Sequence, residues 1–299
     1  MVVSVLQKIS AAITTATGAE FHAVAQRRAG DGCISQAFVI EDDTRRYFVK
    51  LNDAEGLPMF EAEAASLREL AVAGALRVPW PVCLGSAETQ SYIVIEFIDL
   101  QGRGDMAAFG RQLARLHQTR APRFGWRMTN ALGATPQHND YTDDWCEFWR
   151  ECRLGYQLSL AAQAGYGGAL QDKGARMLTR VHELFTDYRP WPALLHGDLW
   201  AGNFGFDELG QAVVFDPAVY FGDRETDLAM TELFGGYSDN FYAAYREVLP
   251  LATGYPVRRT LYNLYHVLNH LNLFGGGYAR QAECMLDVLL SELGASACT

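Results

Sequence analysis

Apolar residues recur at intervals of three and four over much of the chain, which is the spacing of helices that bury one face. The first twenty residues follow this spacing through Val5, Ile9 and Ile13, and a second helix is predicted over 58–73, ending at Gly74. Beyond residue 105 the pattern is mainly helical. The further predicted helices span 106–118, 143–164, 168–188, 225–233, 240–248, 257–273 and 279–293.

Residues typical of β-strands cluster in two parts of the chain. Segments 36–40 and 46–51 flank a polar turn and predict a hairpin, and the run 92–98 predicts another strand. Short strands are also predicted between residues 193 and 216, where they interrupt the helices. We therefore expect an α+β, bilobal fold, with a small β-rich lobe over 1–98 and a larger, mainly helical lobe over 99–299.

The charge and cysteine content narrow the class of protein. The 299 residues include 25 basic and 35 acidic ones, so the formal net charge is 25 − 35 = −10, which disfavours nucleic acid as the main partner. The six cysteines show no CxxC spacing, and the simplest interpretation is that they are free thiols in a reducing compartment. No run of about 18 apolar residues predicts a membrane span. These features predict a cytoplasmic protein without a membrane partner.

The most informative segment is LHGDLWAGN at 195–203, followed by Asp216 at the end of a β-run. Phosphoryl transfer needs a carboxylate that orients the attacking hydroxyl and accepts its proton, and it needs oxygen ligands for magnesium. Asp198, Asn203 and Asp216 supply these groups in the D-x-x-x-x-N spacing of a kinase catalytic loop, with a later aspartate. The alternative is that Asp198 and Asn203 cap turns. We expect His196 and Asp227 to brace this loop.

The N-terminal part of the chain contains complementary groups. Lys50 ends a strand, and Glu63 on the following helix is its preferred partner, which suits a cation that contacts phosphate. Upstream, the turn that includes Gly30, Gly32 and Cys33 is similar to a kinase glycine loop, whose backbone amides cover the phosphates. Cys33 is either a small filler residue or an oxidisable thiol that blocks ATP or joins two subunits.

The end of the 92–98 strand is the expected adenine edge. Backbone groups of Glu96, Phe97 and Ile98 are placed to hydrogen-bond the base, and a plain buried strand is compatible with that role. Substrate contacts are expected in the second lobe. There, Trp200 offers a stacking surface for a sugar two residues beyond Asp198, with simple packing as the alternative, and His270 and Asn272 are candidate sugar contacts.

These segments together resemble the fructosamine kinase (ketosamine-3-kinase) family, within the wider aminoglycoside-phosphotransferase and protein-kinase-like fold. The resemblance covers nearly the whole chain and is most specific in HGDLW at 196–200 and in YFGDRE-x-DLAM at 220–230. It implies ATP and Mg²⁺ as cofactors and phosphorylation of the third-carbon hydroxyl of small-molecule or protein-bound ketosamines. Because the 3-phosphate is unstable and releases the amine, the implied activity is deglycation repair.

By the same resemblance, Asp198 is the proton acceptor, Asn203 and Asp216 are magnesium ligands, and Lys50 with Glu63 positions the phosphates. Two rival interpretations are an aminoglycoside- or choline-type phosphotransferase, which shares this chemistry and differs only in the acceptor pocket, and an ATP-binding module without catalysis. The second has no chemical need for the intact set of Lys50, Asp198, Asn203 and Asp216, which argues against it. The sequence ranks neither fructosamine over ribulosamine nor free over protein-bound adducts. It leaves a monomer and a redox-sensitive dimer equally open.

Overall fold

The computed structural model describes residues 5–29, 35–100 and 102–296. The α-helices of these residues are α1 (Val5–Thr17), α2 (Leu57–Ala73), α3 (Met106–Leu116), α4 (Trp145–Phe148), α5 (Tyr156–Gln163), α6 (Ala169–Arg180), α7 (Glu225–Leu233), α8 (Asp239–Val248), α9 (Tyr255–Phe274) and α10 (Tyr278–Ser296). The strands are β1 (Ala25–Arg28), β2 (Gln36–Glu41), β3 (Arg46–Asp53), β4 (Pro81–Ala87), β5 (Gln90–Glu96), β6 (Asn130–Leu132), β7 (Thr135–Gln137), β8 (Ala193–Leu195), β9 (Phe204–Phe206), β10 (Ala212–Val214) and β11 (Tyr220–Gly222). The α+β class is confirmed.

Contacts within the chain divide it into two compact units. The N-terminal unit contains residues 1–105 and 205–217, and the C-terminal unit contains residues 106–204 and 218–299. The division expected from the sequence, after Ile98, left 205–217 in the second lobe. In the structure this segment joins the N-terminal unit through a parallel bridge between Arg77 and Val213.

The N-terminal unit is built on an antiparallel sheet of order β1-β2-β3-β5-β4. The predicted hairpin is β2 and β3, which pairs Ala37 with Lys50, and β3 in turn pairs Tyr47 with Glu96 at the end of β5. Helix α1 packs apolar residues such as Ile9 against the sheet, in a buried cluster with strand residues including those of β2, β3 and β5. This cluster fixes the strands that carry Lys50 and Glu96.

The C-terminal unit is mainly helical, with α9 packed against α5, α7 and α10. The predicted helix over 143–164 is one continuous helical run from Trp145 to Gln163, but a π-helical segment over Trp149–Gly155 separates α4 from α5. The predicted helix over 168–188 was too long, because α6 ends at Arg180 and a short 3₁₀ turn follows. Among the described residues, no helix is long and apolar enough to cross a bilayer.

Candidate active site

The loop that carries the candidate base turns sharply at Gly197. Its φ is +84°, and a Cβ atom there would lie 2.0 Å from the backbone oxygen of Ala218. The N–H of Ala218 also donates to the backbone oxygen of His196 at 2.9 Å, so the two backbone segments lie in direct contact. Only glycine satisfies both the positive φ and the lack of space. The glycine of the HGD sequence is therefore required by the backbone geometry.

Asp227 braces this loop, as predicted. Its buried carboxylate accepts hydrogen bonds from the N–H groups of His196 at 2.7 Å and Gly197 at 2.9 Å, and from the ring of His117 at 3.2 Å. Burial alone would raise the pKa of Asp227, but the hydrogen bonds that its carboxylate accepts, that of His117 foremost and that of the Gly197 N–H, help to outweigh burial and lower that pKa. His196 also braces the loop, because its Nδ1 accepts the N–H of Asp198 at 3.3 Å.

Asp198 and Asn203 lie together in the C-terminal unit. The Asn203 amide nitrogen donates to the backbone oxygen of Asp198 at 2.9 Å and to its carboxylate at 3.0 Å. Asn203 is buried, so this pair closes the loop between them. Both bonds are made by the amide nitrogen. Neither involves the amide oxygen, which is the atom by which asparagine binds magnesium.

In the N-terminal unit, Lys50 is bonded to two carboxylates. Its Nζ lies 2.7 Å from Glu63, the predicted partner, and 2.5 Å from Asp216, a contact that the sequence did not predict. Burial opposes the charged form of Lys50, but the charges of Asp216 and Glu63 outweigh it and raise the pKa of the lysine. Burial also raises the pKa of Glu63. The lysine is thus held charged at a fixed position.

The groups expected to bind magnesium suit that ion chemically. Asp216 is half-exposed and adopts a left-handed backbone conformation with φ of 55°, which aspartate tolerates better than most residues. Within the described parts of the chain, no group of three or more His, Cys, Asp and Glu side chains forms a metal centre. Magnesium commonly needs only one or two protein carboxylates, because nucleotide phosphates and water complete its coordination. The carboxylate of Asp216 and the amide oxygen of Asn203 are each groups of the kind that magnesium binds.

The expected adenine edge lines a cavity of about 310 Å³ in the N-terminal unit. Glu96, Phe97 and Ile98 lie on its lining, and the ladder between β3 and β5 ends at Glu96. The remaining lining residues are mainly apolar: Phe48, Pro79, Ile95, Leu100, Val213, Phe215 and Asp216. An apolar cleft with peptide groups beyond a strand end is suited to a flat heterocycle.

Aromatic rings link two of the candidate substrate contacts. Phe234, which the sequence did not single out, lies between Trp200, with ring centroids 6.2 Å apart, and His270, at 5.1 Å. Trp200 is 38% exposed and Phe234 is 37% exposed, so the aromatic strip formed by Trp200, Phe234 and His270 is partly open to solvent. The Asn272 amide does not join the strip and instead donates to Gln157 at 2.7 Å and 3.0 Å.

The glycine loop cannot be placed in this site. Gly30, Gly32 and Cys33 lie outside the described residues. Their proposed contacts with phosphate, and the proposed oxidation of Cys33, stay predictions.

The sequence of the chain is similar to a known family over almost its full length. The profile of the fructosamine kinase family matches residues 5–292. The chain belongs to the fructosamine kinase family. It is 46% identical over 288 residues to a Synechocystis protein named "Probable ketoamine kinase", covering 95% of this chain and 96% of that protein. It is 43% identical over 270 residues to the chloroplastic protein-ribulosamine 3-kinase of Arabidopsis thaliana, covering 89% and 82% of the two chains.

Solved structures agree with this assignment. A Haemophilus somnus protein whose name places it among the fructosamine-3-kinases has a TM-score of 0.87 at 28% identity, covering 94% of this chain and 96% of that one. A choline kinase of Streptococcus pneumoniae has a TM-score of 0.62 at 15% identity, covering 96% and 98%. The second likeness concerns the fold alone. The predicted protein-kinase-like fold is confirmed.

Proposed function

We propose that this chain is an ATP-dependent kinase that phosphorylates the 3-hydroxyl of ketosamines and so initiates deglycation. The observation that carries the proposal is the Asp198 loop, in which Asn203 holds the carboxylate of Asp198 and Asp227 holds the backbone before it. A base that must meet a hydroxyl in line with a phosphoryl group gains rate from such fixed placement. The names of the fructosamine kinase relatives support the choice of acceptor.

In this mechanism, Asp198 orients the 3-hydroxyl of the acceptor and accepts its proton. Lys50, held by Glu63, contacts the phosphates, and its bond to Asp216 exchanges for phosphate oxygen when nucleotide binds. Asp216 and Asn203 are the proposed magnesium ligands, and the ion would supply neutralising charge to the phosphates. Glu96, Phe97 and Ile98 hold the adenine by their backbone groups. Each role follows from the chemistry of the group and its fixed surroundings.

The aromatic strip is the proposed contact for the acceptor. A sugar places its C–H faces on an aromatic ring, and a protonated amine is attracted to the same π face. Trp200 follows Asp198 by two residues in the chain, and on that ground we place the ring or chain of a ketosamine bound at Asp198 against the indole. His270 continues the strip through Phe234. Asn272 is a weaker candidate, because its amide nitrogen is already bonded to Gln157.

The direct test is ADP release by the purified protein with Mg-ATP and a panel of acceptors. The panel contains a fructose-amine, a ribulose-amine, an aminoglycoside and choline, and a reaction without acceptor serves as the control. We expect ADP release with at least one ketosamine. Turnover of the aminoglycoside or choline with neither ketosamine would overturn the proposal. We also propose that the enzyme works in the cytoplasm and needs neither nucleic acid nor a membrane.

A further inference from the structure

Arg77 is bonded to two chain segments that line the cavity in the N-terminal unit, the end of β5 and the segment from Asp207 to Asp216. Its Nη2 donates to Glu96 at 3.2 Å at the end of β5, and its Nη1 donates to the carboxylate of Asp207 in the turn before β10. Its backbone oxygen accepts the N–H of Val214 at 3.0 Å, next to the bridge with Val213. Val213 and Asp216, like Glu96, line the cavity. The side chain of Arg77 and its own peptide group therefore connect the two segments.

The two carboxylates that Arg77 contacts are themselves fixed. The second carboxylate oxygen of Glu96 accepts the N–H of Trp80 at 3.2 Å. Asp207 is buried, with 1% of its side chain exposed, and it accepts the N–H groups of Leu209 and Gln211, both at 2.9 Å. Leaving the buried Asp207 carboxylate without its cation costs free energy, so we expect the removal of Arg77 to change the conformation of this turn. The planar guanidinium can hold two acceptors at once, whereas a lysine cannot do so in the same geometry.

We propose that Arg77 is a positioning residue that sets the width of the nucleotide cavity and the placement of Asp216. Its hydrogen bond to Glu96, here called the Glu96 arm, holds the adenine edge. Its hydrogen bond to Asp207, the Asp207 arm, and the bond at its backbone oxygen hold the strand that leads to Asp216. The inference rests on the proposed function, in that it takes the cavity to bind adenine and Asp216 to bind magnesium. Neither a resemblance nor a local motif assigns a role to this residue.

Two binding measurements separate the arms, and neither depends on turnover. The affinity for adenosine, measured by calorimetry, reports the adenine edge. The tightening of ADP binding by Mg²⁺ reports the placement of Asp216. We expect Glu96→Gln to weaken adenosine binding by about tenfold, as the loss of one charge-assisted hydrogen bond implies, and to leave the magnesium effect intact. Asp207→Asn should reduce the magnesium effect and keep adenosine affinity.

Arg77→Met should change both quantities, whereas the matched control Arg68→Met, an exposed arginine of α2, should change neither. A folded Arg77→Met that lowers only the melting temperature, with both binding quantities unchanged, would overturn the inference. If Arg77→Met does not fold, the two single-arm variants carry the test, and equal effects of both variants on both quantities would overturn it. A wild-type protein that binds neither adenosine nor ADP would instead overturn the proposed function.

Discussion

The replacement Asp227→Asn tests whether the loop that carries Asp198 is held by a buried charge. The carboxylate accepts three hydrogen bonds, from the N–H groups of His196 and Gly197 and from the ring of His117. The amide that replaces it keeps one oxygen and turns an NH₂ group toward a donor. At least one backbone N–H then loses its acceptor in a buried site, and the charge that strengthens the other bonds is lost.

The lost charge-assisted bond and the unpaired donor together should lower the free energy of unfolding by about 3–5 kcal/mol. Because the loop carries Asp198, we also expect kcat to fall more than the KM for ATP rises. The assay combines urea unfolding, followed by tryptophan fluorescence, with steady-state kinetics. Asp187→Asn, an exposed aspartate of the same unit, is the control and should stay within about 0.5 kcal/mol of the wild type. An Asp227→Asn protein with wild-type stability and kcat would refute this account of the loop.

Three further replacements test separate parts of the account. Asp198→Asn should keep ATP affinity and lose several orders of magnitude in turnover, and near-normal turnover would remove Asp198 from the role of base. Trp200→Leu should raise the KM for the ketosamine and leave the KM for ATP unchanged, and Tyr141→Leu, an exposed aromatic of the same unit, should change neither. Burial lowers the pKa of His266 to about 3, so at this side chain the unfolded chain binds more protons below pH 6.5, and the contribution of His266 to the free energy of unfolding falls by about 2 kcal/mol between pH 7 and pH 5. In urea unfolding at both pH values, His266→Phe should remove that difference, and an unchanged pH dependence would contradict it.

Local sequence patterns predicted the parts of the site that depend on nearby residues. The strand that ends near Lys50, the helix that carries Glu63 and the short spacing from Asp198 to Asn203 are all encoded over a few residues. The bracing role of Asp227 could be predicted in the same way, because Asp227 lies in the first turn of α7. Periodicity and turn chemistry are sufficient where the partners are close in the chain.

Contacts between distant segments could not be read in the same way. Arg77 and Asp207 are separated by 130 residues, and the bond between Lys50 and Asp216 spans 166 residues. Neither pair has a local signal, because an exposed surface arginine and an arginine that bridges two segments look identical in one sequence. Phe234 was missed for the same reason, since its position between Trp200 and His270 depends on how α7 and α9 pack.

The most direct test of the central claim identifies the phosphorylated product. The enzyme is incubated with Mg-ATP and a ribulose-amine or a fructose-amine, and the product is analysed by phosphorus–proton correlation NMR while ADP is quantified. We expect one phosphate per ADP, coupled to the proton on the third carbon of the sugar, followed by release of the free amine. Phosphate on a different hydroxyl, or ADP release at the same rate without acceptor, would contradict the claim.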